Sequence, residues 1–292
     1  MSDATLSPAD NTRPKRRSRL LVTLAGDRKA QFGLIVLALF ALAGIFAPLL
    51  AQYDPNEMTL DMMAGLSAAH PLGTDDLGRD LLSRILYGTQ VSLFIGISTV
   101  ALALAIGVTL GLVAGYFGGW IDTIIMRYID LQWAFPNFII AVYLVAVFGT
   151  GLLNVIVAIS LAFVDDFARI ARSMTLTLRE EQYVDAARTL GFSKPRTLFV
   201  HILPNAVAPI IVQATVSVSY AILGEASLSF LGLGVDVSTP TWGLILADGR
   251  SFITQAWWLG VFPGLAIMLV VLSINFIGDW LRDALDVRQK AI

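Results

Sequence analysis

Charge is missing from five long stretches of this chain, at 30–53, 85–121, 131–164, 197–224 and 251–278. A helix rising 1.5 Å per residue needs about 20 consecutive apolar residues to cross the hydrocarbon core of a bilayer. Four of the stretches supply one crossing each. The stretch at 131–164 is interrupted by Gly149-Thr150-Gly151, a turn signal, and divides into two short crossings. The expectation is an all-α membrane protein with six transmembrane helices. A composition of 56% hydrophobic and 14% charged residues excludes an ordinary soluble domain.

Because both halves of the divided stretch are short, the third and fourth helices are expected to extend into charged flanks. The fourth then takes in Asp165, Asp166 and Arg169, and the spacing of Asp165 and Arg169 suits an ion pair on one helix face. The chain has no cysteine, which rules out disulfides and thiolate metal sites.

The distribution of basic residues sets the orientation. Arg13, Lys15, Arg16, Arg17, Arg19, Arg28 and Lys29 precede or open the first apolar stretch, which reads as a signal anchor. With the N-terminus in the cytoplasm, only Arg79, Arg84 and Arg250 of the 20 lysines and arginines fall outside. Both termini and the polar segment at 179–204 are then cytoplasmic, and the segment at 52–90 is external. Trp257 and Trp258 at one end of the last helix and Trp280 at the other are about 33 Å apart, a span that matches two bilayer interfaces. The chain divides into a basic tail (1–29), a first transmembrane helix with its extracytoplasmic segment (30–90), a five-helix core (91–288) and a short C-terminal end (289–292).

Several patterns have local readings. Gly107, Gly111 and Gly115 place three positions without side chains on one face of the second helix, for close approach of another helix. Gly118-Gly119 ends that helix. Leu81, Leu82, Ile85 and Leu86 have the spacing of an interfacial amphipathic helix. His70 lies near Asp75, Asp76 and Asp80, but the only other histidine, His201, falls on the opposite membrane face. A capped turn with ion pairs therefore outweighs a metal site, and none is expected. Glu225 sits near the outer end of the fifth crossing, where a carboxylate suggests either substrate contact or a polar tie between tightly packed helices.

Between the fourth and fifth crossings, Glu180 to Leu190 reads as a short helix. Gly191 suits the left-handed position after its last turn. Ser193 can cap a second helix with Pro195 in its first turn, and Pro204 is expected to close it. The small face of Ala186 and Ala187 suits the groove of a partner protein.

The spacing Asp185-Ala186-Ala187-(x3)-Gly191, with Leu203-Pro204 following, resembles the Glu-Ala-Ala loop of ATP-binding cassette (ABC) importer permeases. Asp185 stands for glutamate and His201 for isoleucine. Three further runs resemble the second, C-type permease of the dipeptide/oligopeptide/nickel branch: His70 through Asp80, Ala226 through Gly234, and Asn275 through Asp286. The resemblance covers about Ala30 to Arg288. It implies type I ABC importer permease architecture, with Asp185, Ala186, Ala187, Gly191, Leu203 and Pro204 in a coupling helix-turn-helix. It also implies a second permease subunit, two ATPase subunits and an extracytoplasmic solute-binding protein. The chain lacks the phosphate-cradling GxxxxGK[ST] loop. The subunit is thus expected to be non-catalytic and without a cofactor of its own, with ATP and magnesium held by its ATPase partners. Peptides are the expected cargo. Nickel chelates, glutathione, opines or sugars are alternatives within the branch. An ion-coupled secondary transporter is the rival outside it, disfavoured because most internal charges lie near membrane boundaries.

Overall fold

The computed structural model describes residues 23–285. Arg13 to Arg19, the stretch beyond Leu285 and the terminal segment at 289–292 lie outside the described residues. Among the described residues the protein is helical, with no strand beyond an isolated Thr74–Asp80 bridge.

Helix α1 (Arg28–Ile45) begins where the Asp27 carboxylate accepts from the Lys29 and Ala30 amides, and α2 (Ala47–Leu50) follows. A long irregular segment leads to α3 (Leu81–Phe117), whose first turn is capped by Asp80 accepting from the Ser83 amide at 2.8 Å. Next come α4 (Gly119–Trp133), α5 (Asn137–Phe148), α6 (Leu152–Ala162) and α7 (Val164–Leu178). A short helix, α8 (Gln182–Thr189), precedes one helical turn, α9 (Lys194–Arg196). That turn passes through a π-helical stretch (Thr197–Ile202) into α10 (Leu203–Phe230). Helices α11 (Trp242–Gly249) and α12 (Trp258–Leu285) complete the fold.

Four stretches are long and apolar enough to cross a membrane: α1, α3, the continuous helix Lys194–Phe230, and α12. A fifth is counted if α4 and α5, bent by 92° around Pro136, form one span. The expected six are thus met by four or five. The remaining candidate, α6 with α7, breaks at Phe163 and carries Asp165, Asp166, Arg169 and Arg172 on its second half. The turn foreseen at 149–151 is present, with Gly149 and Gly151 both at positive φ.

The glycine face of α3 packs against α7. A Cβ on Gly107 would lie 2.6 Å from the Val164 carbonyl oxygen, and one on Gly111 2.3 Å from that of Ala168. A Cβ on Gly115 would lie 2.7 Å from the Thr175 Cβ. These are backbone-to-backbone approaches that only glycine permits. The main core fills the space around this seam with Val100, Leu112, Val155, Phe167, Ile202 and Ile210, all buried. A second core joins the start of α3 to α10, α11 and α12 through Leu81, Ile222, Trp242, Ile245 and Leu259.

Two local expectations change. Leu81 and Ile85 do not form a separate interfacial helix. Both are buried as the first turns of the 37-residue α3, because Asp80 starts that helix early. Nor does Arg169 pair with Asp165. It donates to Asp130 on α4 at 2.7 Å and lies 4.5 Å above the Trp133 ring, two contacts that outweigh the i, i+4 option.

At the end of the molecule bearing the 51–80 segment, the capped turn and ion pairs foreseen around His70 are present. His70 Nδ1 lies 3.0 Å from Asp80 Oδ1. Arg79 reaches Asp75 at 2.6 Å and Asp248 of α11 at 3.3 Å. Arg84, fully buried, also donates to Asp75 and reaches Asp248 at 3.2 Å. Trp258 donates its indole N–H to the Thr74 carbonyl and is buried, which leaves the half-exposed Trp257 as the boundary residue.

The seam yields a direct test. Gly111→Leu drives a side chain into the α7 backbone and is expected to cost several kcal/mol, above the roughly 1–3 kcal/mol of ordinary overpacking. Gly264→Ala, whose Cβ meets nothing within 4 Å, is expected to leave stability unchanged or slightly raised. Thermal unfolding of the purified complex checks both.

Candidate functional site

The segment 179–204 forms a compact helix-turn-helix at the far end of α3 from the 51–80 segment. Its first helix is shorter than the Glu180–Leu190 stretch suggests, running Gln182–Thr189. Gly191 lies at φ +80, as its position after a helix requires. The Gly191 amide donates to the Arg188 carbonyl at 3.0 Å and the Phe192 amide to the Ala187 carbonyl at 3.1 Å. This pair of bonds is a Schellman closure. A Cβ on Gly191 would meet nothing within 4 Å, so φ alone demands glycine there.

Ser193 occupies the N-cap position of α9, with Pro195 in the first turn, but its side chain makes no capping bond. Its carbonyl instead accepts from the Thr197 amide and hydroxyl. Pro204 does not close the helix. It sits in the first turn of α10, where the missing N–H is tolerated because the preceding turn widens to π geometry. Asn205 donates its side-chain amide to the His201 carbonyl at 2.7 Å, serving a backbone acceptor in the distorted turn.

The two alanines face opposite ways. Ala187 is buried beside the equally buried Val184, and Ala186 is exposed. The outward surface of α8 and its closing turn thus includes Asp185, Ala186, Arg188 and Leu190, the last 74% exposed. Asp185 accepts from Arg188 at 3.1 Å, an exposed pair that leaves the carboxylate accessible. Leu203 is half-buried against the main core and Pro204 is exposed.

This loop is tied to the helices beneath it. Arg179 donates to the Gly115 carbonyl at the end of α3 at 2.7 Å. Arg172 grips Asp122 of α4 with two bonds of 2.5 and 2.6 Å. Arg188 stands over Tyr116 and Lys194 over Phe117, each 5.4 Å from the ring centre. His201 stacks on Phe192 at 5.3 Å, which accounts for an aromatic ring at 201, and Arg196 stands 4.4 Å from the centre of the same Phe192 ring. Burial raises the Tyr183 phenol above its ordinary range and the Glu181 charge adds to this, while a hydrogen bond with Asn205 opposes it. Sequence reasoning missed these cation–ring contacts because their partners lie at the ends of α3 and of the loop.

Glu225 lies elsewhere, in the last third of α10. It is 1% exposed and accepts from the Ser229 hydroxyl at 2.8 Å and the Thr241 hydroxyl at 2.7 Å. Thr241 in turn caps α11 by accepting from the Leu244 amide. A Cβ on Gly243 would lie 2.4 Å from the Ala226 Cα, so α10 and α11 touch at this level. Among the described residues no group of three or more histidine, aspartate or glutamate side chains is placed to hold a metal ion.

Gly191→Val is expected to destabilise the loop locally by about 1–2 kcal/mol through its left-handed backbone. Ala187→Trp is expected to lift α8 off the core, because the residue points inward. Limited proteolysis within 179–204 should accelerate in both variants and remain unchanged for Ala186→Trp.

The sequence profile for the binding-protein-dependent transport system inner membrane component matches residues 107–291. That for the N-terminal transmembrane domain of oligopeptide transport permease C matches residues 23–71. The dipeptide transport system permease protein DppC of Alkalihalophilus pseudofirmus is 48% identical, over 92% of this chain and 88% of that protein. The di/tripeptide transport system permease protein DppC of Pseudomonas aeruginosa is 42% identical, over 99% of this chain and 98% of that protein. The glutathione transport system permease protein GsiD of Pectobacterium atrosepticum is 46% identical, over 89% of this chain and 86% of that protein. Among solved structures, a chain of the inward-facing MetNI methionine ABC transporter shares the fold. It has a TM-score of 0.54 at 18% identity, over 68% of this chain and 94% of that one. With its glycine seam, its docked helix-turn-helix and these relatives, the chain belongs to the binding-protein-dependent transport system inner membrane components, the multi-pass permeases of ABC importers.

Proposed function

We propose that this chain is the membrane-spanning permease subunit of an ATP-driven importer that carries peptides across the cytoplasmic membrane by alternating access. The observation that carries the reading is the construction of α8. Its inner face is fixed to the core by Val184 and Ala187, and its outer face presents Asp185, Ala186 and Leu190 to a partner. Such an element transmits motion rather than performing chemistry. ATP and magnesium belong to two partner ATPase subunits that receive α8 in a surface groove. A second permease completes the conduit, and an extracytoplasmic binding protein delivers the cargo. The subunit is non-catalytic. Cytoplasmic termini and a cytoplasmic 179–204 loop follow from the basic-residue asymmetry.

Peptide cargo is favoured by the dipeptide and di/tripeptide relatives. Glutathione, itself a small peptide, is the second reading, favoured by the GsiD relative. For Glu225, complete burial and two hydroxyl donors favour a tie between α10 and the cap of α11 over direct substrate contact. Glu225→Gln is then expected to lower the yield of assembled complex, and the assembled fraction should transport normally. Loss of uptake by a fully assembled Gln variant would restore the substrate-contact role.

The coupling reading is tested at Ala186, on the partner-facing side. Ala186→Trp is expected to leave the permease inserted and folded but to reduce copurification of the ATPase subunits, or their stimulation by loaded binding protein, by about tenfold or more. That loss corresponds to about 1.4 kcal/mol of docking energy. Wild-type stimulation and uptake would show that coupling uses another surface. Cysteines placed singly at Ser67 and Ser193 test orientation. In intact cells an impermeant thiol reagent should label position 67 and spare 193.

A further inference from the structure

Among the described residues, Asp166 is a charged side chain that borders open space between the helices. It is the third residue of α7 and lines a half-open groove of about 370 Å³ bordered by α5, α6, α7 and α10. The remaining wall is apolar or weakly polar, including Phe138, Ile159, Phe163, Tyr220 and Leu223. Charged neighbours are occupied elsewhere. Arg169 is committed to Asp130 and Arg172 to Asp122. Asp165 is turned into the protein, fully buried beside Gln132 of α4. The nearest polar partner of Asp166 is the Gln213 side-chain amide, 3.5 Å from Oδ2, and that amide is shared with the Ser217 hydroxyl at 3.4 Å. No cation forms an ion pair with Asp166 among the described residues.

Depth adds to the argument. Asp166 lies fifteen residues along α6 and α7 from Gly151, or about 22 Å at helical rise. That places it inside a hydrocarbon core about 30 Å thick, toward the end that bears the 179–204 loop. A carboxylate at such depth is costly and persists where a ligand or pathway uses it. A largely apolar groove carrying one anion, the Asn137 amide and the Tyr220 phenol suits a small amphipathic molecule bearing a positive charge.

We propose that Asp166 is a substrate-recognition residue of the conduit. It receives the protonated α-amino group of a passing peptide, with Gln213 beside it and the apolar wall taking the side chains. The inference rests on the peptide-importer reading above and adds the group that reads the cargo within the membrane.

The test uses the full complex of both permeases, the ATPases and the binding protein, reconstituted in lipid. Dicyclohexylcarbodiimide, which attacks carboxylic acids in apolar surroundings, should modify Asp166, read by mass spectrometry of the proteolysed chain. A dipeptide with a free amino terminus at millimolar concentration should slow the modification several-fold, and its N-acetylated counterpart should not. Absence of the adduct, or equal effects of the two peptides, would overturn the proposal. In uptake assays Asp166→Asn should reduce dipeptide transport about tenfold, as expected for one lost charge-assisted hydrogen bond. Subunit assembly and ATPase stimulation should persist, and Asp166→Glu should restore part of the uptake. Wild-type uptake by an assembled Asp166→Asn complex would sink this inference alone. Failure of the wild-type complex to take up any di- or tripeptide would instead remove the peptide reading on which it stands.

Discussion

The close approach of α3 to α7 governs much of the remaining geometry. Three glycines on one face let the α7 backbone come within a distance at which any side chain would collide. Bilayer lipid is as apolar as leucine, so helix association inside it relies on such contact rather than on hydrophobic burial. The seam also fixes what extends beyond it. Because Gly115 has no side chain, Arg179 can reach its carbonyl, and Arg172 two turns earlier reaches Asp122. The helix-turn-helix is therefore positioned by the same packing that holds the core.

Charge in the interior follows a consistent logic. At the 51–80 end, two arginines and two aspartates from three separate elements meet in one network, and buried Arg84 is matched by Asp75 and Asp248. At the loop end, Arg169 and Arg172 each take an acid from α4. Replacing such pairs by apolar residues can be neutral or stabilising, so their value lies in fixing which elements meet. The pairs lock the short α4 and α11 against the long helices, where apolar contact alone would permit sliding.

The sequence made the framework legible where the signal was local. Uncharged runs marked the long helices, the 149–151 turn and the seam glycines fell where expected, and Gly191 adopted the left-handed geometry that its place after a helix implied. Failures occurred where a distant partner decided. Arg169 had a suitable acid four residues away but took Asp130, 39 positions earlier, because Trp133 adds a second contact there. Ala187 formed part of a small outward face in the linear reading. The three-dimensional amphipathicity of α8 turns it inward with Val184. Glu225 gave no hint that its donor would come from Thr241, sixteen residues later.

Pro204 is the most consequential of these departures. A proline after a short helix ordinarily signals a stop, and a stop would leave the helix-turn-helix hinged to the long helix that follows. The π-helical stretch Thr197–Ile202 instead carries the chain through, so that Lys194–Phe230 is continuous. At 1.5 Å per residue this helix is about 55 Å long. Its first turn lies beside α8, its middle supplies Gln213 and Tyr220 near the α7 groove, and its last third holds Glu225 against α11. A hinge at Pro204 would dissipate displacement of the loop, whereas a continuous helix delivers it to every one of these levels. The widened turn thus removes the proline's conflict with the helix while keeping the mechanical connection on which the proposed coupling role relies.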